Sequence, residues 1–96
     1  MLANGTPLEP RSRPYGISRE PGFDERGAAL VGGTTRVWDE VSEDLELNLA
    51  RYPEFGTVIR DNLRGLTVLA PNGPVIIAYL VDDEAETIVY VDVLKG

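Results

Sequence analysis

A chain of 96 residues with 43% hydrophobic content suits one small domain, and a net charge of −7 disfavours general affinity for a phosphate backbone. With no cysteine or histidine, disulfides, thiolate metal sites, the usual neutral-pH general base and the commonest zinc ligand are all excluded. No apolar run approaches the roughly 20 residues of a membrane helix, so a cytoplasmic protein with no membrane partner is expected.

In chain order, residues 1–14 hold three prolines and no periodicity, and are expected to form a flexible N-terminal tail. The folded domain is expected over residues 15–96. "YGISREPG" offers a short strand with Tyr15 and Ile17 on one face, ended by Pro21, which cannot donate in a ladder. Phe23, Gly27, Leu30 and Val31 then follow helical spacing up to a stop at Gly32–Gly33, and Gly27 weakens this first helix.

A second, stronger helix is expected from a cap at Thr34 or Thr35. Its apolar stripe is Trp38, Val41, Leu45, Leu49 and Tyr52, and Pro53 ends it near Arg51. Asp39, Glu40, Glu43, Asp44 and Glu46 take the other face, expected to be solvated or to dock a basic partner. Pairing is weakly signalled at Val58–Arg60, and "LTVLA" is rich in β-formers. "PNGP" then supplies a turn in which Gly73 is free to take a positive φ. "VIIAYLV" is a nearly continuous apolar run, "DDEAE" turns, and "TIVYVDVL" returns with period two. The order is β-α-α-β-β-β: an α+β domain with a small antiparallel sheet against two helices.

Three stretches together resemble the RelE/ParE superfamily, the toxins of bacterial type II toxin–antitoxin systems. They are "YGISREPGFDE", "LNLARYPEFG" and "GPVIIAYLVDDEAETIVYVDVLKG", the last similar to the family's "yRiiY" and "vlh" strands. The resemblance spans Tyr15 to Gly96. It implies a cognate antitoxin as partner, and one of two targets: mRNA on the ribosome, which is cleaved, or DNA gyrase, which is inhibited. Against the family pattern, the arginine of the "glR" strand falls at Thr67, that of "yRiiY" at Ile76, and the late histidine at Lys95. The aromatic residue is kept as Tyr79.

Cleavage needs cations to hold the scissile phosphate and a group to move a proton. Each charge-assisted bond is worth roughly 1.5–3 kcal/mol, so two missing arginines argue against an efficient ribonuclease and leave gyrase open. The candidate catalytic residues are Arg60, Arg64, Tyr79 and Lys95, each with a plainer role: surface ion pairing for the arginines, sheet packing for Tyr79, solubility for Lys95. No cofactor or metal motif is present; "DDEAE" lacks the spaced ligands and glycine of an EF-hand loop. A thin core in so small a domain makes a homo-oligomer or another bound partner useful to stability. The rival reading is a non-catalytic interaction module on the same fold, its acidic faces binding a basic protein.

Overall fold

Two helices, α1 (Phe23–Leu30) and α2 (Thr35–Arg51), pack on one face of a five-stranded sheet. The computed structural model describes residues 13–32 and 35–96; the tail expected over 1–14 lies outside the described residues up to residue 12. Of the expected helix cap and stop, Thr34 and Gly33 also lie outside them; Thr35 is the first residue of α2, and Gly32 of the expected Gly32–Gly33 stop follows α1 with φ +109°. The strands are β1 (Gly16–Arg19), β2 (Thr57–Arg60), β3 (Leu63–Ala70), β4 (Gly73–Asp82) and β5 (Thr87–Lys95), in spatial order β1-β5-β4-β3-β2.

The expected α+β class and both helices are present, and the sheet differs from the expected one in two ways. It is mixed, because β1 runs parallel to β5, with Gly16 opposite Thr87 and Arg19 opposite Tyr90. The two helices carry the chain from β1 to β2 at the far edge of the sheet, and the antiparallel run β2–β3–β4–β5 then brings β5 back beside β1 in the same direction. The weak signal at Val58–Arg60 is a strand of its own, β2, paired antiparallel with β3 at the sheet edge. All its residues are exposed, so it has no buried face to give it a pattern.

The two turns of the meander follow from local chemistry. Gly73 takes φ +116° where β3 turns into β4, a conformation costly for any residue with a Cβ. Between β4 and β5 the Asp82 carboxylate accepts the Ala85 amide at 3.0 Å. A bulge interrupts β4–β5: Ala78 faces Asp92 while Tyr79 faces Tyr90, leaving Val91 unmatched. Arg26 of α1 closes this defect, donating to the Val91 carbonyl at 3.0 Å and to Asp92 at 2.9 Å.

The core lies between helices and sheet, with Phe23, Trp38, Leu49, Ile77, Tyr79 and Tyr90 all but fully buried. Phe23 stacks on Tyr90 at 5.1 Å and tilts against Trp38 at 5.4 Å. Gly27, which weakens α1 by propensity, is explained by packing. A Cβ there would stand 2.4 Å from the Trp38 ring, so only glycine lets the indole approach α1. The Trp38 indole N–H donates to Asp24 at 2.8 Å.

Candidate functional site

Alternation along β4 turns Val75, Ile77 and Tyr79 toward the helices and Ile76 and Leu80 to the opposite face, which no helix covers. On that open face Thr67 pairs with Ile76, and Ile76 pairs with Leu94. The row therefore joins both positions where the family resemblance implies arginine, side by side across β3 and β4. In this chain it is apolar or neutral. Gly65, diagonal to Ile76, is covered by Ile59 of β2, whose Cδ1 lies 3.0 Å from where a Gly65 Cβ would be. Ile59 and Leu94 are each about half exposed, at 53% and 47%. The surface offers apolar contact and no fork for a phosphate.

Arg64 and Tyr79 are register partners across β3 and β4, and their side chains meet at the turn of 3-10 helix Pro53–Phe55 that follows α2. The Arg64 guanidinium donates from Nη1 to the carbonyls of Glu54, at 3.1 Å, and Gly56, at 2.7 Å. The Tyr79 hydroxyl donates to the Pro53 carbonyl at 2.9 Å and accepts the Gly56 amide at 2.7 Å. Between them, two side chains satisfy three carbonyls and one amide of a turn that has no ladder to join. Gly56 is required for this approach: a Cβ would lie 2.5 Å from the Tyr79 oxygen. Burial pushes the Tyr79 hydroxyl up from its ordinary pKa, against the opposing pull of the Gly56 amide and Arg64.

Arg60 and Lys95 stand apart from that pair and from each other. Arg60 pairs with Leu63 at the β2–β3 hairpin, next to Asp61, which takes φ +49°. Lys95 pairs with Val75. Leu63 in turn faces Leu80, five residues along β4 from Val75, so the two cations are separated by roughly 16 Å along the strands. Among the described residues both are exposed and form no ion pair. The sheet thus brings Arg64 and Tyr79 together and leaves the other two candidates at its opposite ends.

Two other cations, Arg26 and Arg19, are committed to the fold. Arg19 of β1 reaches Asp24 of α1 and Glu46 of α2, and its guanidinium carbon lies 5.7 Å from the Tyr90 ring centre. Glu46, expected on the solvated face of α2, is half-buried by that pairing. Spacing alone could not reveal it, because Arg19 comes from a strand 27 residues away. Sequence reasoning also missed the groove between β1 and α2, lined by Pro14, Tyr15, Ile17, Leu47 and Ala50 with Glu43, Glu46 and Arg51 at its rim. The one sequence signal for it was Leu47, an apolar residue set among the acids outside the helix stripe.

No protein-family model and no curated protein matches this sequence. Solved structures do. The toxin–antitoxin complex RelBE2 from Mycobacterium tuberculosis superposes with a TM-score of 0.67 at 22% identity, covering 92% of this chain and 98% of that one. This chain has the RelE fold. The intact E. coli RelBE toxin–antitoxin complex matches with a TM-score of 0.65 at 14% identity, over 85% of this chain and 96% of that chain. A double arginine-to-alanine mutant of E. coli toxin RelE in the free state gives 0.64 at 14% identity, over 85% and 83%. The match extends over nearly the whole of the first two of these chains, so the open row of Thr67, Ile76 and Leu94 sits on a scaffold of that kind. No helix among the described residues is long and apolar enough to cross a membrane.

Proposed function

We propose that this chain is the toxin-fold component of a type II toxin–antitoxin module in the cytoplasm, neutralised by a cognate antitoxin and acting by protein contact rather than by cutting RNA. The observation that carries the reading is the Thr67–Ile76–Leu94 row on the open face of a RelE-fold sheet. A phosphodiester cleaver needs cations where negative charge develops. This row supplies methyl groups and one hydroxyl. Two of the candidate catalytic residues, Arg64 and Tyr79, are occupied in holding the Pro53–Gly56 turn. The other two, Arg60 and Lys95, are too far apart to grip one phosphate together.

Of the two targets in the resembling family, gyrase fits such a surface better than the ribosome, because an acidic chain is repelled by ribosomal RNA. The test is expression of the chain alone in a bacterial host, then with the neighbouring reading frame. Growth arrest relieved by the neighbour, with inhibited gyrase supercoiling and intact mRNA on purified ribosomes, is the expected result. Specific mRNA cleavage by the purified chain would overturn the contact mechanism. Absence of both arrest and binding to the neighbour's product would overturn the module itself.

A further inference from the structure

We propose that two copies of this chain associate through the open face of the sheet, stacked antiparallel about a two-fold axis that crosses β4 near Ile77. The inference goes beyond the module reading and stands on this chain alone.

The face that no helix covers presents Leu63 and Leu69 of β3, Ile76 and Leu80 of β4, and Val89 and Leu94 of β5. Leu69 is 82% exposed. The charged side chains of these three strands leave the middle of the face neutral. Arg64 is turned to the Pro53–Gly56 turn and Asp92 is held by Arg26, while Asp82 and Lys95 stand at opposite ends. Soluble monomers seldom leave so continuous an apolar surface bare. At about 3.3 Å per residue and 4.8 Å between strands, the five strands span a face of roughly 550 Å². Two such faces together exceed the ~1,000 Å² of total area that a specific interface needs. Stacking about 10 Å apart is how sheets with apolar inner faces bury them.

Shape and charge fit a second copy in one direction. β4 is the middle strand, so a two-fold axis across it lays β4 on β4 and reverses one sheet end for end. Ile76 of each copy then stands over Ala78 of the other, beside Gly65, where the side chains are smallest. Each Lys95 comes toward the other copy's Glu84, in the acidic β4–β5 turn that lies roughly 23 Å away on its own sheet. Both are exposed, and among the described residues neither forms an ion pair. An axis along the strands would instead bring the two acidic turns together, which like charge opposes. The row proposed above as a contact surface is covered in this dimer, and the monomer is the form that presents it.

Sedimentation equilibrium of the full chain, from micromolar to millimolar concentration, tests the assignment. A reversible dimer of the 10.5 kDa chain is expected. A monomer throughout that range overturns the proposal. Thr67→Lys and Leu94→Lys, both at exposed positions on the face, should each weaken the dimer by about tenfold or more, with the fold kept by circular dichroism. Leu47→Lys, exposed on α2, should leave the dimer unchanged. Insensitivity to the two face variants overturns the proposal, and loss of the dimer with Leu47→Lys alone moves the contact to α2. Lys95→Glu and Glu84→Lys should each weaken association by about threefold or more, and the two combined should restore it. Weakening without restoration overturns the antiparallel arrangement.

Discussion

Tyr79 and Tyr90 face each other across β4 and β5, both fully buried, yet their hydroxyls meet opposite fates. Tyr79 both donates and accepts at the Pro53–Gly56 turn, whereas the Tyr90 oxygen finds no hydrogen-bond partner among the described residues. An unmade bond in the interior costs about 1–3 kcal/mol, and removing the polar atom relieves that cost. Tyr79→Phe is therefore expected to destabilise the fold by about 1–3 kcal/mol, since it orphans the Gly56 amide. Tyr90→Phe should be neutral or stabilising by up to about 1 kcal/mol. Urea unfolding of the two variants separates them, and equal losses would contradict this account.

The same pair sets an alkaline limit. Burial raises both hydroxyls above the ordinary tyrosine pKa of 10.0, Tyr90 much further than Tyr79, with the Glu46 carboxylate adding to the effect at Tyr90. The folded state holds these protons more tightly than the unfolded state does. Stability from this source is complete below about pH 10 and is lost as pH rises through the folded values. Ultraviolet titration should show two tyrosines ionising only as the chain unfolds, and Tyr90→Phe should extend the folded range to higher pH.

Gly27→Ala pits local propensity against packing. Alanine favours a helix by roughly 1 kcal/mol over glycine. Here its Cβ would meet the Trp38 ring at 2.4 Å, from a flat side chain itself fixed by Asp24. Overpacking of this kind costs about 1–3 kcal/mol and should prevail. The expected outcome is a lowered Tm with a changed tryptophan fluorescence maximum; an unchanged or raised Tm would show that the indole can yield.

The four candidate catalytic residues should divide into two classes under alanine substitution. Arg64→Ala removes the donor shared by Glu54 and Gly56 and is expected to cost about 1–3 kcal/mol, with Lys unable to reproduce the geometry. Arg60→Ala and Lys95→Ala are expected to stay within about 0.5 kcal/mol of the parent. If expression of the chain arrests growth and that arrest follows stability across the set, the losses are structural. A stable Arg60 or Lys95 variant that abolishes toxicity would assign that residue to the target surface.

Much of this fold is legible in one dimension because its signals are local. The stripe from Trp38 to Leu49, the stop at Pro53, the Gly73 turn and the period-two run of β5 each follow from neighbours in the chain. What could not be read depends on partners distant in sequence. β1 is too short to declare its direction, and only the β5 pairing makes it parallel. β2 buries nothing and so carries no alternation. Arg64 looks like a surface cation until the Pro53–Gly56 turn is seen folded over it. The missing charges at Thr67 and Ile76 were visible from the family resemblance, but that the two share one row is a property of register.

The pairing of β1 with β5 joins the first described strand to the last. A nascent chain leaving the ribosome therefore exposes β1, α1 and α2 long before β5 exists to receive them. Closing so long a loop is entropically slow, and folds ruled by such non-local contacts take milliseconds to seconds. The β3–β4–β5 meander, whose contacts are close in sequence, is the natural nucleus, with β1 docking late. Until it does, Phe23 lacks its ring partner on β5. Synthesis and maturation of this protein are thus separated in time.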